Sequence, residues 1–279
     1  MEPVLLVFLV IVGVGAGFLS GILGVGGGFV FAPAMFFVLR VSGVAPETAI
    51  LVAFGTSLAV AFPTVLSGAL GHSRKGNVCW HDAVVIGVAG IVTGFVGGTV
   101  ATMLPVAVLT FLFGVMLVVG AVRMLTVLPS GDTVRLSVPK GAAIGGTAGF
   151  FSGLLGVGGG TVVVPLLSIF GRYQMRRAAA TSAAAIVFIT LGGIASYLLN
   201  GVSAGVDLSS YGFVLVGYVD LVMWVILVVT AVPMALVGVR YISRFPDRLL
   251  RRLFVVLMFV IALDMFGVFS LIGELIGMG

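Results

Sequence analysis

From Pro3 to Leu39 the chain runs for 37 residues without a charge, which is too long for one straight membrane helix. Such a helix would measure about 55 Å, against a hydrocarbon core of about 30 Å. The run has to break, and its glycines say where: Gly24-Val25-Gly26-Gly27-Gly28. Consecutive glycines weaken a helix and open backbone angles that other residues avoid. The run therefore reads as a helix, a glycine turn and a shorter second helix with Pro33 near its start. A membrane setting follows from composition. With 61% hydrophobic and 8% charged residues and a mean hydropathy of +1.34, a soluble 279-residue domain has no core large enough for its apolar surface.

Further apolar runs follow at about 48–70, 83–102, 105–127, 141–170, 178–199, 218–239 and 250–276. The 141–170 run carries its own break, Gly156-Val157-Gly158-Gly159-Gly160. The stretch 200–217 is polar and reads as an extramembrane connection. The stretch 128–140, with Pro129, Gly131, Asp132, Arg135 and Lys140, reads as a cytoplasmic linker between repeat one (1–127) and repeat two (141–279). Gly17 to Pro33 aligns with Gly149 to Pro165 at 12 of 17 identical positions, including phenylalanine, serine and proline. Farther on, Thr56-Ser57 matches Thr181-Ser182, and Leu104-Pro105 matches Phe245-Pro246. Met1-Glu2-Pro3 lacks the positive flank of a signal peptide, so the first run is expected to belong to the mature protein.

Charge placement discriminates between two topologies. If each broken run crosses once, the 14 basic residues divide nine to five between the two sides. If each broken run is a hairpin returning to its starting side, they divide thirteen to one, with Arg40 alone opposite. The second arrangement is the expected one. It gives an all-α integral membrane protein of two inverted repeats, each a Gly-broken helical hairpin plus three transmembrane helices, with both termini outside. Inverted repeats with broken helices are a transporter plan whose substrate site lies at the repeat interface.

The paired breaks carry the expected chemistry. A helix that starts after a glycine turn aims free N–H groups and a positive dipole end at the turn, which suits an anion. The candidate substrate-binding residues are Gly26, Gly27, Gly28, Gly158, Gly159, Gly160 and Thr161, with the hydroxyls of Thr56, Ser57, Thr181 and Ser182. Against this stands close helix packing by the glycines and bonding of the hydroxyls to the preceding turn's carbonyls. Arg176 and Arg177 read either as a cytoplasmic anion funnel or as ordinary positive-inside anchors. The run is not a nucleotide P-loop, because Phe29 and Thr161 stand where that motif has lysine. Asp264, inside the last apolar run, reads either as a functional candidate by position or as a residue near the outer interface, and Asp220 reads as interfacial. His72 and His81 read as solvated residues of one basic loop. With Cys79 the only cysteine, neither a disulfide nor a metal or other cofactor is expected.

The doubled Gly-Phe-x-Ser-Gly-x-Leu-Gly-Val-Gly-Gly-Gly run, the prolines that follow, the Thr-Ser pairs, and Lys75-Gly76-Asn77-Val78 with Trp80 resemble the sulfite exporter TauE/SafE family, also called the 4-toluene sulfonate uptake permease family. That resemblance spans nearly the whole chain. It implies a multi-pass transporter of the cell membrane, in bacteria the inner membrane, exporting small sulfur-containing anions such as sulfite, sulfoacetate or other organosulfonates. Carboxylate transport, a non-transporting subunit and an intramembrane hydrolase are the competing readings. The hydrolase reading needs a histidine on a neighbouring helix, whereas both histidines are expected in a loop between other spans. The expected partners are the anion and the lipid bilayer. A proton or sodium as coupling ion and a homo-oligomer are both compatible with the pattern, whereas nucleic acid is not. Cysteines placed singly in the 72–82 and 128–140 segments of a Cys79-free protein should label from the same, cytoplasmic face. Labelling from opposite faces would refute the hairpin topology.

Overall fold

The computed structural model describes residues 2–126, 136–241 and 247–266. Repeat one contributes α1 (Pro3–Leu23), α2 (Gly28–Val41), α3 (Pro46–Arg74), α4 (Trp80–Ala101) and α5 (Val106–Thr126). Repeat two contributes α6 (Val138–Leu155), α7 (Gly160–Phe170), α8 (Met175–Ala204), α9 (Leu221–Tyr241) and α10 (Asp247–Met265). Among the described residues, α1, α3, α4, α8 and α9 are long and apolar enough to cross a membrane. The fold is that of an all-α, multi-pass membrane protein.

Both long runs break at their glycines, with matching geometry. Gly24 ends α1 and Gly156 ends α6 in the left-handed region, at φ 65° and 66°. Gly27 and Gly159 open α2 and α7, again left-handed at φ 71° and 82°. The helices after the breaks have 14 and 11 residues, about 21 and 17 Å, so neither crosses the bilayer. Pro33 and Pro165 lie inside these short helices rather than at their first turn.

The repeats interlock. α1 lies parallel to α9, with Gly17 against Ala231 and Gly21 against Ala235. α6 lies parallel to α4, with Gly145 against Ile86 and Gly149 against Gly90. The counterpart helices α3 and α8 form the buried centre and run antiparallel, with Gly55 near Tyr197 and Gly193 against Leu58. The outer helices present apolar side chains such as Ile11, Val92 and Val229, each about two-thirds exposed, to the surrounding lipid. Proline breaks are compensated across helices. Pro63 cannot donate to the Ala59 carbonyl, and the Trp224 indole of α9 bonds that oxygen at 2.9 Å.

Three expectations change. α8 continues to Ala204, so the expected 200–217 connection begins later. It then forms a short antiparallel ladder, β1 (Leu215–Val216) with β2 (Val219–Asp220). His72 is not a loop residue but a fully buried member of α3. Asp220 is buried rather than interfacial. Its carboxylate accepts N–H bonds from Met223 at 2.7 Å and Val214 at 3.0 Å, which caps α9 and ties the ladder to it. The side chain of Asp264, most of the 128–140 linker, and Phe245-Pro246 lie outside the described residues.

The contact between α4 and α6 depends on missing side chains. A Cβ on Gly145 would overlap the Ile86 carbonyl, whereas one on Gly146 would meet only Thr93 Cγ2 at 3.8 Å. Gly145→Val should cost ~1–3 kcal/mol through overpacking, read as a lower unfolding temperature in detergent, while Gly146→Ala should melt with the wild type. Equal melting of the two variants would refute the backbone contact.

Candidate functional site

The two glycine turns meet each other in the middle of the protein. A side chain on Gly28 would strike the Val157 carbonyl, and one on Gly160 would strike the Val25 backbone. Gly28 and Gly160 are thus glycine because two backbones approach there. Gly26 and Gly158, at φ 89° and 82°, share Ala61 and Ile186 as neighbours, at 3.6 to 3.8 Å from where their Cβ atoms would be. Ser57 fastens the junction. Its Oγ donates to Gly156 O at 2.8 Å and lies 3.2 Å from Gly28 O, so one hydroxyl reaches both turns.

Thr56 and Thr181 are held by a matched pair of bonds. Thr56 Oγ1 accepts the N–H of Asp220 at 2.9 Å, and Thr181 Oγ1 accepts the N–H of Cys79 at 3.1 Å. Each bond fixes the entry to the helix that follows, α9 or α4. Neither threonine is described bonding to its own preceding turn. Thr161 lies apart from the junction. Its hydroxyl points to Met116 Sδ at 3.9 Å, beside a cavity of about 420 Å³ walled by α5, α6 and α7, with Phe151, Val162 and Leu166 among its lining.

Several buried polar atoms have no partner. The hydroxyls of Ser20, Ser152 and Ser182 are all buried and unbonded. Ser20 and Ser152 are counterparts in the two repeats, in the last turns of α1 and α6. Ser152 Cβ stands 3.4 Å from where a Cβ on Gly159 would be, so its hydroxyl lies beside the opening of α7. With glycine at their N-caps, α2 and α7 have no capping side chain for their first N–H groups. Two uncapped, positive helix ends and spare buried hydroxyls are what a small oxyanion takes up. Ser20 and Ser152 were readable in the aligned motif, but only burial marks them as unpartnered.

Arg176 and Arg177 occupy the first turn of α8; Arg177 is exposed, and Arg176 is half-buried with its Nε unpartnered. Nearby polar structure was not readable from the sequence. The buried Asp82 carboxylate accepts from Tyr173 Oη at 2.7 Å and Leu136 N at 3.2 Å, and lies 2.9 Å from His81 Nδ1. Burial first, then Cys79 and Asp82, push the Tyr173 phenol well above its ordinary range. Among the described residues, no cluster of His, Cys, Asp or Glu is suited to a metal ion.

A family model described as Sulfite exporter TauE/SafE matches residues 9–265. A probable membrane transporter protein of Methanocaldococcus jannaschii is 30% identical over 253 residues, covering 88% of this chain and 90% of that protein. A probable membrane transporter protein of Haemophilus influenzae is 26% identical over 258 residues, covering 92% and 96%. One of Bacillus subtilis, YunE, is 25% identical over 215 residues, covering 70% and 79%. No solved structure matches the chain.

The two threonine latches should be equivalent. Thr56→Val and Thr181→Val each strand a backbone N–H, a loss of ~1–3 kcal/mol. Thermal unfolding of each in detergent should fall by a similar amount. A wild-type melting curve for either would show that its latch does not form.

Proposed function

The chain belongs to the sulfite exporter TauE/SafE family and is a multi-pass membrane transporter, and from that premise we propose that it carries a small sulfur-containing anion out of the cell. The reading rests chiefly on the meeting of two uncapped helix N-termini, α2 and α7, beside buried unpartnered serines. Sulfite and sulfonates hold three oxygens on one centre, so one head group can accept donors from both repeats together. Helix ends contribute about 0.3–1 kcal/mol each when exposed and up to ~2 when partly buried. Two ends with charge-assisted hydrogen bonds support binding on the order of micromolar to millimolar. That range lets a transporter load and release.

The antiparallel course of α3 and α8 supports repeats inverted across the membrane, as the basic residues do. In that arrangement Ser57, which touches both turns, is the element that senses their separation. Arg176 and Arg177, at the start of α8, gather anions at the cytoplasmic mouth. Alternating access then consists of the two turns parting on one side and closing on the other.

Ser20→Ala and Ser152→Ala test the site without confounding the fold, because each removes a hydroxyl that bonds nothing. Deleting a buried, unsatisfied hydroxyl is close to neutral for stability. Each variant should melt like the wild type and bind sulfoacetate about tenfold more weakly by calorimetry, a change of ~1.4 kcal/mol. A neutral sulfonamide analogue should bind wild-type protein at least as weakly. Unchanged affinity in both serine variants, or equal binding of the neutral analogue, would refute the helix-end site.

A further inference from the structure

The last turns of α1 and α6 are capped by counterpart residues of different chemistry. A helix leaves its last carbonyls without intrahelical partners. In α6 one of them, Gly153 O, accepts from Tyr197 Oη of α8 at 2.9 Å. In α1 the equivalent Gly21 O lies 3.0 Å from His72 Nε2 of α3. Tyr197 and His72 occupy the same place in the two repeats, fifteen residues after Ser182 and Ser57. A carbonyl only accepts, so Nε2 carries the hydrogen and Nδ1 bears a lone pair. That Nδ1 is buried and has no partner. On the same helix face, one turn earlier, Gly68 is buried, and nothing lies within 4 Å of where its Cβ would be. Two and three residues beyond His72, Arg74 and Lys75 are exposed.

We propose that His72 is the proton-binding site that couples a proton to anion movement, taking its second proton on Nδ1 when an anion occupies the glycine turns. This rests on the anion-transporter reading. The chemistry is a simple protonation: one proton adds to the Nδ1 lone pair, no other bond changes, and the ring becomes an imidazolium with two N–H donors. Its surroundings set the conditions. α3 brings Arg74 and Lys75, with Lys75 Nζ donating to Val239 O of α9 at 2.6 Å. α9 ends in Arg240 and Tyr241, and α8 begins with Arg176 and Arg177, whereas α1 has no charged residue. No described carboxylate stands among them to balance an imidazolium. An anion entering the turns supplies negative charge, and the imidazolium in return strengthens the cap on the negative end of α1. By linkage each favours the other's binding. Repeat two, capped by a tyrosine, has no such response, so one turn responds to protons and the other does not.

Purified protein in weakly buffered detergent, mixed with sulfoacetate near neutral pH, tests this through proton uptake. Wild type and His81→Asn should take up protons on binding, and affinity should rise about tenfold for each unit of acidification, as one linked proton requires. His72→Gln keeps an amide N–H for Gly21 O but has no second protonation site, so it should bind sulfoacetate with no proton uptake and no pH dependence. Wild type that binds sulfoacetate without proton uptake, or His72→Gln that takes up protons like wild type, overturns the proposal and leaves the anion site standing. Protein that binds no anion overturns both readings. Should His72→Gln fail to fold, 15N spectra of histidine-labelled His81→Asn protein decide. Nδ1 of His72 should gain a proton when sulfoacetate is added, and a ring that stays neutral overturns the coupling.

Discussion

The approach of two backbones, Gly28 to Val157 and Gly160 to Val25, is the constraint that the rest of the structure serves. Non-helical backbone at membrane depth survives only where protein buries it or a cavity hydrates it. Here each break is buried against the other. The repeats also share polar partners: Ser57 of repeat one bonds Gly156 of repeat two as well as reaching Gly28 of its own turn, and the start of α9 bonds Thr56 of α3. The two breaks are therefore one feature with two halves.

Near-symmetry makes the departures informative. Thr56 and Thr181 do equivalent work, as do Gly24 and Gly156. Ser57 and Ser182 do not: one bridges both turns, and the other is buried without a partner. Asp220 and Cys79 hold the same place at the entries to α9 and α4, yet only the carboxylate caps its helix. Burial raises the Asp220 carboxyl above its ordinary value even as the N–H bonds from Met223 and Val214 pull it down. One architecture thus carries two different sets of polar groups, as expected of a machine whose two faces meet different solutions.

Much of this was legible in the sequence. The glycine breaks, their repetition and the order of helices follow from run length against bilayer thickness, because one number constrains every membrane helix. The hydroxyls were legible as residues but not as roles, since Thr56 and Ser57 act through partners 164 and 99 positions away. His72 was misread because polar neighbours, Ser73 to Lys75, made a helix end look like a loop. Its burial depends on Gly21, 51 residues earlier, whose missing side chain also lets α9 approach. Asp220 was misread in the same way: a carboxylate at the edge of an apolar run looks solvated until the folded connection brings it N–H donors.

The interlocking of the repeats also sets an order of assembly. α1 is made well before the helix it packs against most extensively, α9, which begins some two hundred residues later. Until then the glycine face of α1, from Gly13 to Gly21, has lipid or insertion machinery for company rather than Ala231 and Ala235. α4 and α6 are separated by only one helix and find each other early. The α4–α6 contact is thus available during synthesis long before the α1–α9 contact. A nascent chain stopped before Leu221 would hold an α4–α6–α8 nucleus with α1 still searching. Contacts of such long sequence separation slow assembly, so the α1 face is where quality control during synthesis has the longest time to act.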